Sequence, residues 1–446
     1  MANEAASPMD FSGLDRPIGM GGHFVNVFRD HGWLSWRMVP FYLIWAAFTA
    51  VLVVWLFIYF FVPEPRKPRP SEKTYTTVDK TGDVTDPELL PCWYDDLLRR
   101  YYKAKQERPG KDIQLEKEFE PEPPEVFLTL VVPAFNEEDR LSGMLEEAVT
   151  FLQTEYAAGG PSSSNMQGIP EHSAKSGSDP DEDPASPRRR KKANGTPNTS
   201  QPLTGWEILL IDDGSTDHTL LTAQTFARAH ILPQHPRRDS GPWTHRSPQG
   251  VKIQPGSIRM VSLEENRGKG GAVTHGMRHA RGQYVLFADA DGASKFSDLT
   301  KLLSACRMVE DSDGRGIAVG SRAHLVGSEA VVKRSKLRNF LMHAFHLLLW
   351  LLTPPATARI KDTQCGFKLF SRPTLPFIIP HMHMEGWIFD VEMLMLAEGA
   401  GIPVAEVPVG WREVMGSKLN VVKDSLGMAW GLAILRICWG TGIYRR

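Results

Sequence analysis

The sequence predicts an α/β fold with a doubly wound, mostly parallel sheet, preceded by one transmembrane helix. Short apolar segments alternate with segments whose apolar residues recur at helical spacing, which indicates strands and helices in turn. Several of the apolar segments end in acidic or glycine-rich turns, as at the ligand-binding edge of a parallel sheet. An uncharged apolar run from Phe41 to Val62 stands apart from this pattern.

The apolar run at 41–62 is predicted to be a membrane anchor, with a buried core helix as the less favoured alternative. It is long enough to cross about 30 Å of hydrocarbon at about 1.5 Å per residue, and too long for a cleavable signal peptide. More basic residues follow the run than precede it: Arg66, Lys67, Arg69 and Lys73, against Arg29 and Arg37. The positive-inside rule therefore predicts a lumenal tail at 1–40 and a cytosolic C-terminal portion.

Charge balance and cysteine spacing argue against some classes of protein, whereas two sequons leave the orientation of the chain in the membrane open. The 51 basic and 52 acidic residues balance, which argues against a nucleic-acid binder with a broad basic face. The four cysteines include no Cys-x-x-Cys pair, so we expect reduced thiols and neither a disulfide frame nor a zinc site. Two sequons, at Asn194 and Asn198, compete with the cytosolic prediction because they would be glycosylated in a lumenal domain.

A catalytic domain is predicted over 125–420, after a linker at 63–124 that contains an amphipathic helix around Tyr94–Lys105. The first strand, Val126–Pro133, is almost continuously apolar, as expected for a strand covered on both faces. Further strands are predicted at 207–211, 258–263, 283–288 and 316–320, with helices at 141–152, 220–229, 270–281 and 299–308.

Several segments lie outside this alternation. A low-complexity insertion at 157–204 and a loop at 231–256 interrupt it. The apolar stretches 340–352 and 426–437 are too short to be spans, and either a core helix or an interfacial helix fits each of them. Residues 421–446 are predicted to form an amphipathic, membrane-proximal segment.

The most informative segment is a predicted strand that ends in Asp289-Ala290-Asp291. Because side chains alternate along a strand, both carboxylates are expected on one side. Two like charges so close are usually relieved by a divalent cation with hard oxygen ligands. Mg²⁺ completes its shell with water and substrate phosphates, so the pair predicts a nucleoside diphosphate held with Mg²⁺ or Mn²⁺. The alternative is an ordinary polar turn after a core strand.

Two other predicted strands run into acidic turns, Pro133-Ala134-Phe135-Asn136-Glu137 and Asp212-Asp213-Gly214-Ser215. Carboxylates there suit uracil N–H groups or ribose hydroxyls, although the second turn is also a good helix cap by itself. The segment Asn266-Arg267-Gly268-Lys269-Gly270 precedes a helix and would present backbone N–H groups and Lys269 to a phosphate. No Walker loop or Gly-x-Gly-x-x-Gly fingerprint is matched, which argues against kinases and nicotinamide-dependent oxidoreductases.

Together with Gly320-Ser321-Arg322 and the segments 362–368 and 387–392, these motifs resemble the inverting family 2 glycosyltransferases of the GT-A fold, a Rossmann-like architecture. The resemblance covers about 126–419 plus the anchor. It implies a metal site at Asp289 and Asp291, with Asp390 at the position of a catalytic base. It implies nucleotide-sugar contacts at Pro133, Phe135, Glu137, Asp212, Asp213, Lys269 and Asp289.

The same resemblance implies basic residues that hold the acceptor and the diphosphate. These are Arg322, Arg334, Arg338, Arg412 and Lys418, together with Ser417. Two positions depart from mannose-transferring relatives: Ala293 replaces a glutamine that adds a metal ligand, and Arg338 replaces a serine. The metal shell and the contacts to the acceptor phosphate are therefore expected to differ from theirs.

The resemblance further implies transfer of glucose from UDP-glucose to dolichyl phosphate, with inversion, at the endoplasmic reticulum membrane. A phosphate monoester has a second pKa of about 6 and needs little deprotonation, so we expect Asp390 to position groups more than to abstract a proton. One alternative is a mannosyltransferase that uses GDP-mannose. Another is an inactive, membrane-anchored sugar-nucleotide-binding scaffold. A processive polysaccharide synthase lacks support, since the Gln-x-x-Arg-Trp motif is absent.

Overall fold

The computed structural model describes residues 38–62, 64–109, 121–157, 203–232, 241–243, 250–325, 336–414 and 421–444. The chain divides into two units, Met1–Val62 and Pro63–Arg446. The described part of the first unit is helix α1 (Val39–Phe61), which has a proline in its first turn. The 18-residue segment Val39–Leu56 has a mean hydropathy of 2.1 and is long and apolar enough to cross a membrane. The predicted anchor is therefore a helix with the length and composition of a span.

The second unit is built on a seven-stranded sheet, and a separate two-stranded ribbon, β1 (Thr74–Tyr75) and β2 (Glu88–Leu89), precedes it. The sheet strands are β3 (Val126–Ala134), β4 (Trp206–Asp212), β5 (Ile258–Ser262), β6 (Gly282–Ala288), β7 (Ile317–Ser321), β8 (Phe367–Ser371) and β9 (Val404–Pro408). Their spatial order is β5-β4-β3-β6-β8-β7-β9. Only β8 runs antiparallel to its neighbours in this sheet, so the prediction of a mostly parallel α/β sheet is confirmed.

Ten helices of the second unit fall within the residues that the structure describes. They are α2 (Trp93–Glu107), α3 (Leu141–Tyr156), α4 (Thr219–Ile231), α5 (Lys269–Arg278), α6 (Leu299–Val309), α7 (Lys336–Leu352), α8 (Pro355–Arg359), α9 (Leu375–Ile378), α10 (Phe389–Gly399) and α11 (Val421–Thr441). The predicted helices at 141–152, 220–229, 270–281 and 299–308 correspond to α3, α4, α5 and α6, with ends that shift by a few residues.

The order of the strands creates a crevice at one edge of the sheet. After β3 the chain adds β4 and β5 on one side, and it then returns to place β6 on the other side of β3. The carboxyl ends of β3 and β6 therefore flank a switch point, the place where doubly wound sheets bind ligands. Buried apolar side chains such as Leu130, Leu210 and Leu286 form the core that fixes these strands.

The prediction of a linker at 63–124 is wrong for residues 64–109, because these residues are part of the second unit and pack against the rest of it. Val78 and Leu97 are fully buried, and the Trp93 indole donates a hydrogen bond of 2.7 Å to the carbonyl of Met277. Thr76 forms an isolated antiparallel β-bridge with Met260 of β5, the edge strand of the seven-stranded sheet. The predicted amphipathic helix around Tyr94–Lys105 corresponds to α2, whereas the buried residues before it, such as Val78, are separated by polar turns and show no helix or strand period in the sequence.

Candidate functional site

Asp289 and Asp291 lie in the turn that follows β6, since the strand ends at Ala288. The sequence had suggested that alternation along a strand orients the two carboxylates. Because both residues lie beyond the end of the strand, backbone contacts orient them instead. The Asp289 N–H donates to the carbonyl of Gly366 on the neighbouring segment at 3.1 Å. The Asp291 carboxylate accepts the N–H of Ala293 at 3.0 Å. Burial, and after it the charge of the neighbouring Asp289, raises the pKa of Asp291.

Lys269, the first residue of α5, places its ammonium 2.5 Å from Asp289 Oδ1 and 5.7 Å from the centre of the Trp387 ring. Burial lowers the pKa of Lys269, but the charges of Asp289, Asp390 and Asp291 together raise it above the ordinary value. The Asp289 Oδ1 atom is buried, and the Lys269 ammonium is its charged partner. Such an oxygen suits a cation.

The carboxylate pair supplies only part of a metal shell. Within the described part of the chain, no three or more His, Cys, Asp or Glu residues are grouped so as to hold a metal ion. Ala293 contributes a backbone N–H to Asp291 and has no side-chain oxygen. A divalent cation held by Asp289 and Asp291 would take its remaining ligands from water and from a phosphorylated substrate, which is the usual coordination of Mg²⁺.

The glycine-rich loop before α5 is held by Asp213. Its two carboxylate oxygens accept the N–H groups of Arg267 at 2.7 Å and of Gly268 at 2.9 Å. Burial raises the pKa of Asp213 to about 7, although these hydrogen bonds act in the opposite direction. Gly268 has a φ of 83°, and a Cβ there would lie 2.7 Å from the carbonyl oxygen of Glu385. Asp213 thus shapes the loop that presents Lys269.

The turns that follow β3 and β4 are tied together side by side. Asn136 has a positive φ of 54°, and its side-chain oxygen accepts the N–H of Thr216 at 2.7 Å. The Asn136 N–H in turn donates to Ser215 Oγ at 2.9 Å. Asp212, at the end of β4, is buried and accepts the N–H of Ser215 at 3.2 Å. The predicted acidic turns therefore form one continuous edge at the switch point.

Arg140 is a site residue that sequence reasoning missed. Its guanidinium forms a bidentate ion pair with Glu137 at 2.7 and 2.6 Å, and it lies 4.0 Å from Asp291 Oδ2. The spacing of three residues between Glu137 and Arg140 was the available signal. Pro133 lies within β3, opposite Ile211 of β4, and Phe135 is 37% exposed at the strand end.

Asp390, in the first turn of α10, is almost fully buried, and its carboxylate accepts a hydrogen bond from the ammonium of Lys368. Lys368 is itself fully buried in β8 and also donates to the carbonyl of Cys365 at 2.7 Å. Burial raises the pKa of Asp390, whereas Lys368 and Lys269 act to lower it. Lys368 was not predicted, since a lysine between apolar residues does not stand out as a core position.

The described basic residues of the predicted acceptor site already have protein partners. Arg322 forms a bidentate ion pair with Asp362 at 2.7 and 2.8 Å, which raises the pKa of its guanidinium. Arg412 donates to the carbonyl of Pro242 at 2.6 Å and lies over the ring of Trp243. Arg334, Ser417 and Lys418 lie outside the described residues, as does the side chain of Arg338.

Helices α7 and α11 pack against each other and keep large apolar side chains on the surface. Trp350 of α7 is 70% exposed and Trp430 of α11 is 64% exposed, while Leu349 and Leu435 are buried. Leu347, Leu351 and Leu426 are exposed in the same helices. Each of the two helices therefore has buried apolar side chains together with exposed ones.

Comparison with known proteins decides the family. Residues 198–352 match the family described as Glycosyl transferase family 2. The dolichyl-phosphate beta-glucosyltransferase of Saccharomyces cerevisiae is 35% identical over 401 residues, which cover 89% of this chain and 92% of the yeast protein. This chain belongs to the dolichyl-phosphate beta-glucosyltransferase family. The resemblance to family 2 glycosyltransferases that the motifs predicted is thereby confirmed.

Other dolichyl-phosphate beta-glucosyltransferases agree with this membership. The Drosophila melanogaster protein is 37% identical over 72% of this chain and 78% of its own length. The Homo sapiens protein is 33% identical over 71% of this chain and 77% of its own length. A crystal structure of Mycobacterium tuberculosis glucosyl-3-phosphoglycerate synthase with Mg²⁺ and uridine diphosphate is 15% identical over 74% of this chain and 84% of that chain, with a TM-score of 0.39. A similarity this low does not bear on ligands, and the family assignment depends on the sequence relatives.

Proposed function

We propose that this chain transfers glucose from UDP-glucose to dolichyl phosphate with inversion at the sugar C1, giving dolichyl β-D-glucosyl phosphate. The observation that carries the proposal is the arrangement of Asp289, Asp291 and Lys269 at the switch point between β3 and β6. Two carboxylates and one ammonium there suit a nucleoside diphosphate and a divalent cation. The names of the family members supply glucose and dolichyl phosphate as the transferred sugar and the acceptor.

In this proposal, Asp289 and Asp291 hold Mg²⁺ or Mn²⁺, which when bound stabilises the negative charge of the departing UDP. The ion pair between Asp289 Oδ1 and the Lys269 ammonium supports this role, since the oxygen already accommodates a positive charge. Lys269 gives a positive charge to the same diphosphate, at the N-terminus of α5, where the helix dipole also favours an anion. The residues proposed to contact the nucleotide follow or end the paired strands β3 and β4: Pro133, Phe135, Glu137, Asp212 and Asp213.

The acceptor oxygen attacks the sugar C1 in line with the bond to UDP, so one C–O bond forms as the other breaks. A lipid phosphate is already ionised near neutral pH, since its second pKa is about 6. Asp390 is buried against Lys368, which supports a positioning role for its carboxylate and none as the base. Arg322 and Arg412 are proposed to border the acceptor phosphate, with Arg334, Arg338, Ser417 and Lys418 completing that side.

The exposed apolar sides of α7 and α11 are proposed to lie at the bilayer surface. A dolichyl chain stays in the membrane, so a site that uses its headgroup must lie at that surface. Exposed tryptophans are typical of the membrane–water interface. With α1 as the anchor, the proposal places the catalytic unit on the cytosolic side of the endoplasmic reticulum membrane.

A donor panel tests the proposal. The full chain, in membranes that contain dolichyl phosphate, is supplied in turn with UDP-glucose and GDP-mannose, with and without Mn²⁺. We expect metal-dependent incorporation of glucose into the lipid as the β-anomer, with the Asp291→Asn variant as the inactive control. Incorporation of mannose in place of glucose would reverse the donor assignment. If neither sugar is transferred while UDP still binds, the scaffold alternative is favoured.

A further inference from the structure

The segment that directly follows the anchor in sequence, residues 64–73, contacts the loop that precedes Lys269. The glycine-rich loop described above comprises residues 264–268, which lead into Lys269-Gly270-Gly271 at the start of α5. The Arg267 guanidinium donates to the carbonyl of Arg66 at 2.6 Å. Arg69 forms ion pairs with Glu264 and, at 2.5 Å, with Glu265. Both elements belong to the same unit of the chain, so these contacts are internal to the catalytic unit.

Glu72 is the centre of this contact and is fully buried. Its carboxylate accepts from the Arg66 guanidinium at 2.5 Å, from the Arg69 N–H at 2.8 Å and from the Glu264 N–H at 3.1 Å. Burial raises the pKa of Glu72, but these hydrogen bonds outweigh burial and keep the pKa below its ordinary value. The carbonyl of Glu72 also pairs with His275 of α5 at 2.8 Å. Glu72 thus joins the segment, the loop and the helix that Lys269 begins.

The other side of the glycine-rich loop is fixed by elements already described. Asp213 accepts the N–H groups of Arg267 and Gly268. The Arg267 guanidinium also bonds Glu385, at 2.9 Å from its Nε. The loop is therefore held between the segment 64–73 and the residues before α10. These contacts on both sides fix the backbone that leads into Lys269.

We propose that Glu72 and Arg69 are positioning residues for the donor site, so that the segment after the anchor orders the glycine-rich loop and Lys269 for the nucleotide diphosphate. The anchor region then has two separable roles, a tether in α1 and a structural part of the donor site in 64–73. This inference rests on the proposed function, because that proposal assigns Lys269 to the diphosphate. It predicts an effect on donor binding and none on acceptor binding.

The test uses full-length protein in lipid nanodiscs and UDP with Mn²⁺ as the probe. Glu72→Gln weakens the hydrogen bonds from Arg66 and the loop, and Arg69→Ala removes the outer ion pairs from a side chain that is 40% exposed. We expect the UDP dissociation constant and the KM for UDP-glucose to rise about fivefold to tenfold in Glu72→Gln and about twofold to fivefold in Arg69→Ala. The kcat and the KM for dolichyl phosphate should stay within about twofold of the parent.

Glu88→Gln is the matched control, since Glu88 is exposed in β2 and bonds the Tyr75 hydroxyl away from the loop. It should leave UDP binding unchanged. If Glu72→Gln does not fold, Arg69→Ala alone decides the matter. Parent-like UDP binding in every variant that folds, or a raised KM for dolichyl phosphate alone, would overturn the inference. Failure of the proposed function looks different: the parent protein would then bind UDP without transferring glucose.

Discussion

Gly366 lies against the carboxylate of Asp289 so closely that a Cβ on Gly366 would be 2.1 Å from Asp289 Oδ2. The same two residues share a backbone hydrogen bond of 3.1 Å from the Asp289 N–H to the Gly366 carbonyl. Gly366 stands one residue before β8, the antiparallel strand next to β6. The position of the proposed metal ligand is therefore set by the absence of a side chain directly before the neighbouring strand β8.

Replacing Gly366 with alanine should displace the Asp289 carboxylate and reduce glucose transfer by about 100-fold, since a misplacement of about 1 Å costs that much at a reacting centre. The measurement is turnover against Mn²⁺ concentration, which should show a raised metal requirement. Gly427→Ala is the control, because a Cβ at Gly427 meets no atom within 4 Å. Unchanged metal dependence in Gly366→Ala would show that the contact does not matter.

Lys269 occupies the Asp289 oxygen that the metal is proposed to use, so the two cations should compete. Lys269→Met is expected to tighten binding of free Mn²⁺, without nucleotide, by about tenfold, as removal of a neighbouring like charge predicts. The same variant should weaken UDP-glucose binding by about tenfold, because one phosphate contact is lost. Electron paramagnetic resonance of unbound Mn²⁺ measures the first effect. Lys301→Met, on an exposed lysine that pairs with Asp298, is the control. Weaker Mn²⁺ binding in Lys269→Met would contradict competition.

Lys368 and Asp390 form a buried pair, so loss of either partner leaves one charge unpaired. Asp390→Asn and Lys368→Met should each destabilise the protein by about 3–5 kcal/mol. The double variant Lys368→Met/Asp390→Asn should be less destabilised than the sum of the two. Thermal unfolding in detergent measures this coupling. If Asp390→Asn abolished turnover without loss of stability, Asp390 would act as a base and the positioning role would fail.

The pH dependence of donor binding should follow Asp213, whose pKa is raised by burial from 3.8 to about 7. Because folding disfavours the ionised form, the stability that Asp213 contributes is greatest below about pH 4 and declines as pH rises toward 7. Donor binding has the opposite sign, since the carboxylate accepts the loop N–H groups of Arg267 and Gly268. We expect the KM for UDP-glucose to rise as pH falls below about 7. The Asp213→Asn variant should bind UDP-glucose more weakly, and its KM should no longer change near pH 7. A wild-type KM that stays constant from pH 6 to 8 would count against this role of Asp213.

Trp350 and Trp430 test the membrane role of α7 and α11. Replacing both with serine should leave transfer to a short-chain, water-soluble polyprenyl phosphate unchanged. Transfer to dolichyl phosphate in vesicles should fall by about tenfold, because two large apolar contacts with the bilayer are lost. A matched pair of exposed residues away from these helices, Leu221 and Met308, serves as the control when changed to serine. Equal losses with both acceptors would indicate a folding defect.

Local sequence patterns were sufficient to predict many of the strands and helices of the fold. The apolar runs that became β3 and β4 were visible because both faces of these strands are buried, and that of β5 because Ile258, Met260 and Val261 are buried. The strand β8 was not predicted, since Lys368 interrupts its apolar run and the chain reverses direction there. The packing of residues 64–109 was also hidden, because its contacts join positions almost 200 residues apart, such as Glu72 and Glu264.

The sequence by itself determined which chemistry is available: an anchor, acidic strand ends, a glycine-rich loop with Lys269, and the motifs of one enzyme family. Residue type and local spacing carry that information. Only the tertiary structure decided how the groups are used. It turned Asp213 toward the loop, buried Asp390 against Lys368, and fitted Asp289 over Gly366. Those outcomes depend on which distant backbone comes close and on how far burial changes each charge, and neither is encoded in a short stretch of sequence.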